Sequence, residues 1–114
     1  MSECLFCQIE QRKVPAEIVE EDRDVIAFKD VHPKAPTHLL IVPKEHITRL
    51  SDLTDASAKV MARVTVMANR LAERFGIARD RYRLVINCGP DAGQSVGHLH
   101  VHLLGGRVMG WPPG

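Results

Sequence analysis

The sequence predicts an α+β fold in which one long helix lies across a mostly antiparallel sheet of about five strands. Two observations support this fold class. Short strand-like segments occur on both sides of one long amphipathic segment, and the length of 114 residues is typical of a single domain. Because neither a linker nor an internal repeat divides the chain, residues 1–114 are expected to form one domain.

A short helix is expected at residues 4–11. Leu5, Phe6 and Ile9 would form its buried side, and Pro15 marks its limit. Strand patterns follow at residues 18–20, 25–28, 37–42, 82–87 and 96–104. Two prolines predict a loop at residues 30–36, and a second, glycine-bearing loop is expected at residues 88–95.

The longest helical pattern covers residues 52–75. Its apolar residues recur at spacings of three and four and predict one buried stripe, formed by Val60, Val64, Met67, Leu71 and Phe75. Ser51 or Thr54 is a suitable residue to cap the start of this helix, and Gly76 is well placed to end it in the left-handed conformation.

Composition excludes several classes of function. The net charge of +1, from 15 basic and 14 acidic side chains, gives no general attraction for a polyanion, so nucleic acid is not an expected partner. No apolar run approaches the ~18 residues of a membrane span. The first residues lack the pattern of a signal peptide, and a cytoplasmic protein is expected. Three cysteines make a disulfide framework improbable.

Histidine is the one unusual feature of the composition. The chain has six, and three of them alternate within five residues as His98, His100 and His102. On a regular strand these side chains share one face, and the outer two are about 13 Å apart along the backbone. One zinc ion would not easily bind all three, so three imidazoles with separate roles are the simpler expectation.

Such a row of histidines suits chemistry at phosphorus. A neutral imidazole is a competent nucleophile if its other nitrogen keeps its proton, which either a backbone carbonyl or a second histidine can hold. A third imidazole or a serine hydroxyl can then donate to the phosphoryl oxygens. The neighbouring loop supplies Gly93, where backbone N–H groups can approach an anion, and the side-chain donors of Gln94 and Ser95.

These residues resemble the histidine triad family, and in particular its nucleotide-binding, Hint-like branch. The motif here is His98-Leu99-His100-Val101-His102-Leu103-Leu104. The resemblance extends over nearly the whole chain, through residues 30–38, 42–47, 87, 93–96, 105–107 and 111–114. It implies a histidine triad fold with a short N-terminal helix.

The resemblance implies a purine nucleoside phosphoramidase, which hydrolyses the P–N bond of AMP or GMP amidates through a covalent nucleotidyl-histidine. His100 would be the nucleophile, and His102 would contact the phosphate oxygens. His38 would belong to the relay that orients the nucleophile, and Ser95 would hydrogen-bond the leaving nitrogen. The reaction itself would need no metal.

The resemblance also implies a nucleotide site. Asp30 would hold the ribose hydroxyls, and Asn87 would line the phosphate site beside the donors of the 88–95 loop. The apolar walls of the purine slot would be formed by Phe6, Ile9, Phe28 and Val31.

The motif Cys4-x-x-Cys7 has three interpretations. In thioredoxin-like redox proteins this motif follows a strand, whereas no strand pattern precedes it here. Two free structural thiols are the simplest interpretation. The third is a structural zinc site of the Cys₂His₂ kind. In zinc-bearing members of the family, the positions of His46 and His98 complete that site.

Other expectations remain open at this stage. A dinucleoside polyphosphate hydrolase or nucleotidyl transferase would use the same chemistry, and a purine-nucleotide-binding scaffold would need none. The resemblance implies a homodimer with the C-terminal tail, here carrying Trp111, near the partner's site. Neither His32 nor Cys88 receives a role from the sequence.

Overall fold

The computed structural model describes residues 3–79 and 82–114. Its elements follow one another as α1 (Leu5–Glu10), β1 (Ile18–Glu21), β2 (Val25–Lys29), β3 (Thr37–Pro43), α2 (Lys59–Arg74), β4 (Tyr82–Val85) and β5 (Val101–Gly105). The strands form one sheet in the order β1-β2-β3-β5-β4, and each neighbouring pair is antiparallel. The expected α+β fold, with five antiparallel strands, a long helix and a short N-terminal helix, is confirmed.

The two helices cover opposite faces of the sheet. Alternation along β3 sends Leu39 and Ile41 into the core beneath α2, whereas Leu40 and Val42 pack with α1. Burial of each such side chain contributes about 1.5–3 kcal/mol. The face that carries α1 also carries His38, so apolar packing and polar side chains lie next to each other there.

Helix α2 has the predicted stripe but a later start. Val64, Met67 and Leu71 are fully buried, and the backbone of Gly76 is left-handed at φ +74°, as predicted. The expected start at residue 52 is wrong, because the helix begins at Lys59. The Thr54 N–H donates to the Ser57 hydroxyl (2.9 Å), which favours a local turn instead of a helix.

Helix α1 is the predicted N-terminal helix, shortened to six residues. Cys4 caps it, and its Sγ accepts from the Cys7 N–H at 3.5 Å. Phe6 and Ile9 are buried as expected. The expectation that Leu5 is buried is wrong, since it is 42% exposed and Cys7 occupies the buried side in its place.

Strand β5 is shorter than the predicted 96–104 segment, because its ladder with β3 starts at the pair Ile41 and Val101. The backbone before Val101 makes hydrogen bonds outside this ladder, since the Leu99 N–H donates to the Ile47 carbonyl at 2.6 Å. Strand β4 therefore stops at Val85, opposite His102, two residues before its predicted end. None of the helices in the described ranges has the length and apolarity that a membrane span requires.

Candidate functional site

Two groups of side chains each include a histidine from the segment 98–102. The first, here called the Cys/His cluster, consists of Cys4, Cys7, His46 and His98. The second, here called the histidine relay, consists of Asp30, His38 and His102. The structure thus divides the alternating histidines between two sites, as the strand spacing predicted for three imidazoles with separate roles.

The Cys/His cluster has the dimensions of a tetrahedral metal site. Nδ1 of His98 lies 3.2 Å from the Cys4 Sγ and 3.5 Å from the Cys7 Sγ, and Nδ1 of His46 lies 3.3 Å from the Cys7 Sγ. In a tetrahedral zinc site, bond lengths of ~2.3 Å to sulfur and ~2.1 Å to nitrogen place S and N atoms ~3.6 Å apart. The four residues therefore fit a zinc ion with little movement.

Hydrogen bonding prepares His98 to act as a ligand. Its Nε2–H donates to the Pro43 carbonyl at 2.8 Å, so the lone pair is on Nδ1, which faces both thiols. Burial lowers the pKa of His98 and favours the neutral ring that a metal requires. His46, on the loop after β3, places its Nε2 3.4 Å from the Thr48 hydroxyl and its Nδ1 toward Cys7.

His100 has the opposite tautomer. Its Nδ1–H donates to the His98 backbone carbonyl at 2.7 Å, which leaves the lone pair on Nε2. The sequence left open whether a carbonyl or a second histidine holds this proton, and in the structure it is the carbonyl. The ring is 4% exposed, and the edge of Phe6 packs against it at 5.1 Å between centroids.

The histidine relay fixes the tautomer of His102. The Lys34 N–H donates to Nδ1 of His38 at 3.0 Å, so the proton of His38 is on Nε2. That Nε2–H donates to Nδ1 of His102 at 2.9 Å, and His102 consequently presents an Nε2–H. His38 thus orients His102, whose ring lies 5.1 Å from that of His100 between centroids. The role of His38 in a relay that orients the nucleophile stays a prediction.

Electrostatics keep both relay histidines neutral at pH 7. Burial, with smaller contributions from the neighbouring imidazoles, lowers the pKa of His102 to about 4. Burial also lowers the pKa of His38, against the opposing effect of the Asp30 carboxylate, whose Oδ2 lies 3.4 Å from Nε2. Although these three side chains lie close enough together to hold a metal, the hydrogen bond between the two rings already uses the nitrogens that would bind it.

A cleft of about 400 Å³ opens beside these rings. His100, His102 and the neighbouring Asp30 form its polar end, and Phe6, Ile9 and Phe28 pack together at its apolar end. Ser95 also lines the cleft. Of the residues predicted for nucleotide binding or catalysis, those that line the cleft are Phe6, Ile9, Phe28, Asp30, Val31, Ser95, His100 and His102. A flat, largely apolar group fits between the aromatic and aliphatic walls, with an anionic group at the histidines.

Three predicted nucleotide-binding residues, Asn87, Gly93 and Gln94, do not line the cleft. Gln94 has a different function. Its amide oxygen accepts from the Gly89 N–H (2.9 Å), and its amide nitrogen donates to the carbonyls of Thr48 (2.7 Å) and Val96 (3.0 Å). Gln94 therefore stabilises the loop that presents Ser95, instead of offering a free donor.

Sequence reasoning also missed several lining residues. The linker between α1 and β1 contributes Val14, Pro15 and Ala16, and His32 lies at the mouth of the cleft. The His32 N–H donates to the Asp30 carboxylate at 2.8 Å, which orients that acid. Linker residues have no periodicity that would reveal them. His32 immediately follows Asp30 and Val31, which were both predicted to bind the nucleotide, and this position in the sequence could have indicated that His32 lines the cleft.

Comparison with known proteins agrees with this architecture. The protein-family model of the HIT domain matches residues 11–109 of this chain. The crystal structure of a HIT family hydrolase from Legionella pneumophila is 48% identical, with a TM-score of 0.96, covering 98% of this chain and 100% of that one. A 14 kDa zinc-binding protein of Zea mays is 44% identical over 99% of this chain and 89% of its own length.

A more distant structure, a histidine triad nucleotide-binding protein from Candida albicans, is 27% identical, with a TM-score of 0.82 over 96% of this chain and 83% of that one. The matches span nearly the full chain. The chain belongs to the HIT domain family.

Proposed function

We propose that this protein hydrolyses the P–N bond of purine nucleoside phosphoramidates through a covalent nucleotidyl intermediate on His100. The observation that carries the proposal is the pair of complementary tautomers at the polar end of the cleft. His100 presents a lone pair on Nε2, and His102 beside it presents an Nε2–H. The Legionella relative is named a hydrolase and the Candida relative a nucleotide-binding protein, which supports a nucleotide substrate.

The substrate would enter with its base in the apolar end of the cleft. Phe6 and Phe28 meet edge to face at 5.3 Å between ring centroids and form an aromatic wall. Asp30, which lines the cleft close to His102, would accept hydrogen bonds from the ribose hydroxyls. The α-phosphorus would then lie near His100 and His102.

In the first step, Nε2 of His100 attacks the α-phosphorus, and an N–P bond forms as the P–N bond to the leaving amine breaks. The ring becomes an imidazolium, whose Nδ1–H remains hydrogen-bonded to the His98 carbonyl at 2.7 Å. The hydrogen bond strengthens when its donor becomes charged, which favours the intermediate. The Nε2–H of His102 donates to a phosphoryl oxygen as negative charge develops there.

The departing nitrogen takes the electron pair of the P–N bond and needs a proton. Ser95 lines the cleft and is exposed, so its hydroxyl would hydrogen-bond that nitrogen and receive a proton from solvent. In the second step, water attacks phosphorus and releases a proton to solvent, while the N–P bond breaks and its electron pair returns to Nε2. The products are a nucleoside monophosphate and the free amine.

The Cys/His cluster would hold zinc in a structural role. Its four ligands leave no open position, and a zinc ion there would cross-link α1, the loop after β3 and the segment before β5. The zinc-binding name of the Zea mays relative supports this assignment. The proposed reaction uses no group bound to this metal.

A homodimer is part of the proposal. Strand β4 is an edge of the sheet within the described chain, and Leu84 on it is 37% exposed. In the C-terminal tail, Val108 and Trp111 are 93% and 83% exposed, which leaves them available to a second copy. Sedimentation at micromolar concentration is expected to give twice the chain mass, and a monomer would contradict the dimer.

The substrate assignment is tested by comparing turnover of adenosine 5′-phosphoramidate, guanosine 5′-phosphoramidate and diadenosine polyphosphate. The proposal expects the two phosphoramidates to be hydrolysed with a kcat/KM at least about tenfold above that of the dinucleotide, and predicts that His100→Ala abolishes turnover. Preference for the dinucleotide would indicate a polyphosphate hydrolase. Binding of AMP without turnover of any of the three would indicate a nucleotide-binding scaffold.

A further inference from the structure

Helix α1 contributes to both sites. Cys4 caps the helix and Cys7 lies within it, and both belong to the Cys/His cluster. Leu5, Phe6 and Ile9, from the same turn and a half, line the apolar end of the cleft. The position of one short helix therefore determines the geometry of the proposed metal site and of one wall of the proposed nucleotide site.

Helix α1 depends on tertiary anchors for its position. It has 6 residues, well below the ~12–15 at which an isolated helix becomes even marginally stable in water. Neither of its end turns contains a charged side chain that complements the helix dipole. Phe6 and Ile9 are the apolar side chains that it buries against β2 and β3. A metal bound to Cys4 and Cys7 would add an anchor at the first turn.

The tautomer of His100, in contrast, is set by a hydrogen bond outside α1, although Phe6 packs against the ring. The carbonyl that orients it belongs to His98, whose Nε2–H donates to Pro43 (2.8 Å) and whose N–H donates to Val96 (2.8 Å). On its other side, β5 begins with the pairing of Val101 and Ile41. Loss of metal would therefore free the cleft wall and leave the nucleophile and its tautomer in place.

We propose that metal occupancy of the Cys/His cluster sets the affinity of the cleft for purine nucleotides by fixing α1. Cys4 and Cys7 are then positioning residues that act through Phe6 and its apolar neighbours on the cleft wall. This inference rests on the proposed function in taking a purine nucleotide as the occupant. It separates nucleotide affinity, which depends on the metal, from the chemical step, which does not.

The experiment measures AMP binding by calorimetry and phosphoramidate turnover on the full chain, zinc-loaded and chelator-treated. His46→Ala is the informative variant, because His46 is a proposed ligand that is exposed and lies outside both α1 and the cleft. Glu10→Ala is the matched control on α1, since Glu10 belongs to neither site. Hydrogen exchange reports on the α1 amides, with the β5 amides as an internal reference.

Chelation is expected to weaken AMP binding at least about tenfold, a typical size for coupling between two sites. The KM for the phosphoramidate rises by a similar factor, and kcat changes by less than about threefold. His46→Ala reproduces these effects and shows no further response to chelator, whereas Glu10→Ala behaves as the native chain. The backbone N–H groups of Gln8 and Gln11 donate to the carbonyls of Cys4 and Cys7. These two amides are expected to exchange faster after chelation, whereas the β5 amides are not.

Equal AMP affinity with and without metal would overturn the inference, as would a loss confined to kcat or a native chain that takes up no zinc. If AMP fails to bind even the zinc-loaded chain, the proposed function fails separately. In that case hydrogen exchange still decides the role of the metal: faster exchange in α1 after chelation supports it, and unchanged exchange overturns it.

Discussion

Two buried histidines, two residues apart, show how one residue type acquires two roles. His98 donates from Nε2 to the Pro43 carbonyl, and His100 donates from Nδ1 to the His98 carbonyl. The lone pairs are therefore on opposite ring nitrogens. The lone pair of His98 is on Nδ1, which faces the Cys4 and Cys7 thiols. The lone pair of His100 is on Nε2, and this ring lines the cleft.

Phe6 lies between the two sites. Its ring centroid is 6.0 Å from that of His98 and 5.1 Å from that of His100. In each case a backbone carbonyl, rather than the histidine itself, determines which ring nitrogen remains free, because it accepts the proton of the other nitrogen. Substitutions on each side should accordingly affect different observables: catalysis on the His100 side, and metal binding and stability on the His98 side.

The largest effect is expected from His100→Ala. Loss of the nucleophile should lower kcat for adenosine 5′-phosphoramidate by about 10⁴-fold or more. The control is His32→Ala, which removes an exposed histidine at the cleft mouth and should change kcat less than about tenfold. Steady-state kinetics on both variants, with thermal melts to verify folding, measure the difference. A His100→Ala enzyme with a tenth of native activity would refute the role of His100.

Metal removal should produce the next largest effect, on stability. Chelation is expected to lower the free energy of unfolding by about 3 kcal/mol or more, because a ligand that binds only the folded state stabilises it by mass action. Cys7→Ser should already lack this contribution and respond little to chelator. Cys88→Ser is the matched control, since Cys88 lies outside the Cys/His cluster and the variant should respond as the native chain does. Denaturant titration with and without chelator measures these differences.

Ser95→Ala should slow the departure of the leaving group more than the attack by the nucleophile. We expect kcat to fall about 100-fold for a phosphoramidate with an alkylamine leaving group, which must be protonated. For an AMP ester of a nitrophenol, which departs as a stable anion, the loss should be much smaller. Comparison of the two substrates at saturation measures this, and equal losses would show that Ser95 does not assist departure.

The pH dependence of stability should report on the relay. The pKa of His102 is lowered to about 4 in the folded chain, below the ~6.5 of an unfolded histidine, so between these values the unfolded state binds more protons. Stability is complete above about pH 6.5 and falls toward pH 4, by at most about 1.4 kcal/mol per pH unit for this group.

Burial lowers the pKa of His38 and of His98 as well, so their contributions have the same sign. His102→Asn should therefore reduce the slope without removing it. Denaturant titrations from pH 4 to pH 7 on both proteins measure the slopes. A native chain whose stability does not change over this range would contradict the neutral relay.

Much of the fold was predictable, because its determinants are local. The stripe on α2 and the left-handed Gly76 follow from spacing and residue type. The start of β5 was not predictable in this way, since residues 96–104 keep a strand-like pattern even where their backbone leaves the ladder. The start of α2 depended on the turn between Thr54 and Ser57, which a periodicity argument does not weigh.

The candidate site divides similarly. Spacing alone indicated that His98, His100 and His102 have separate roles, and the family resemblance grouped Cys4 and Cys7 with distant histidines. The direction of each imidazole proton was not predictable, because the Pro43 and His98 carbonyls that hold these protons are brought into place by the tertiary fold. For the same reason the sequence could not show that the Gln94 amide hydrogen-bonds three backbone groups, which come together only in the folded loop.

The most direct test of His100 as the nucleophile is intact-protein mass spectrometry after rapid mixing with adenosine 5′-phosphoramidate, on the native chain, His102→Ala and His100→Ala. We expect a mass increase of one adenylyl group, most abundant in His102→Ala and absent from His100→Ala, with peptide mapping that places it on His100. An adduct on another residue, or turnover without any adduct during a single turnover, would contradict this role of His100.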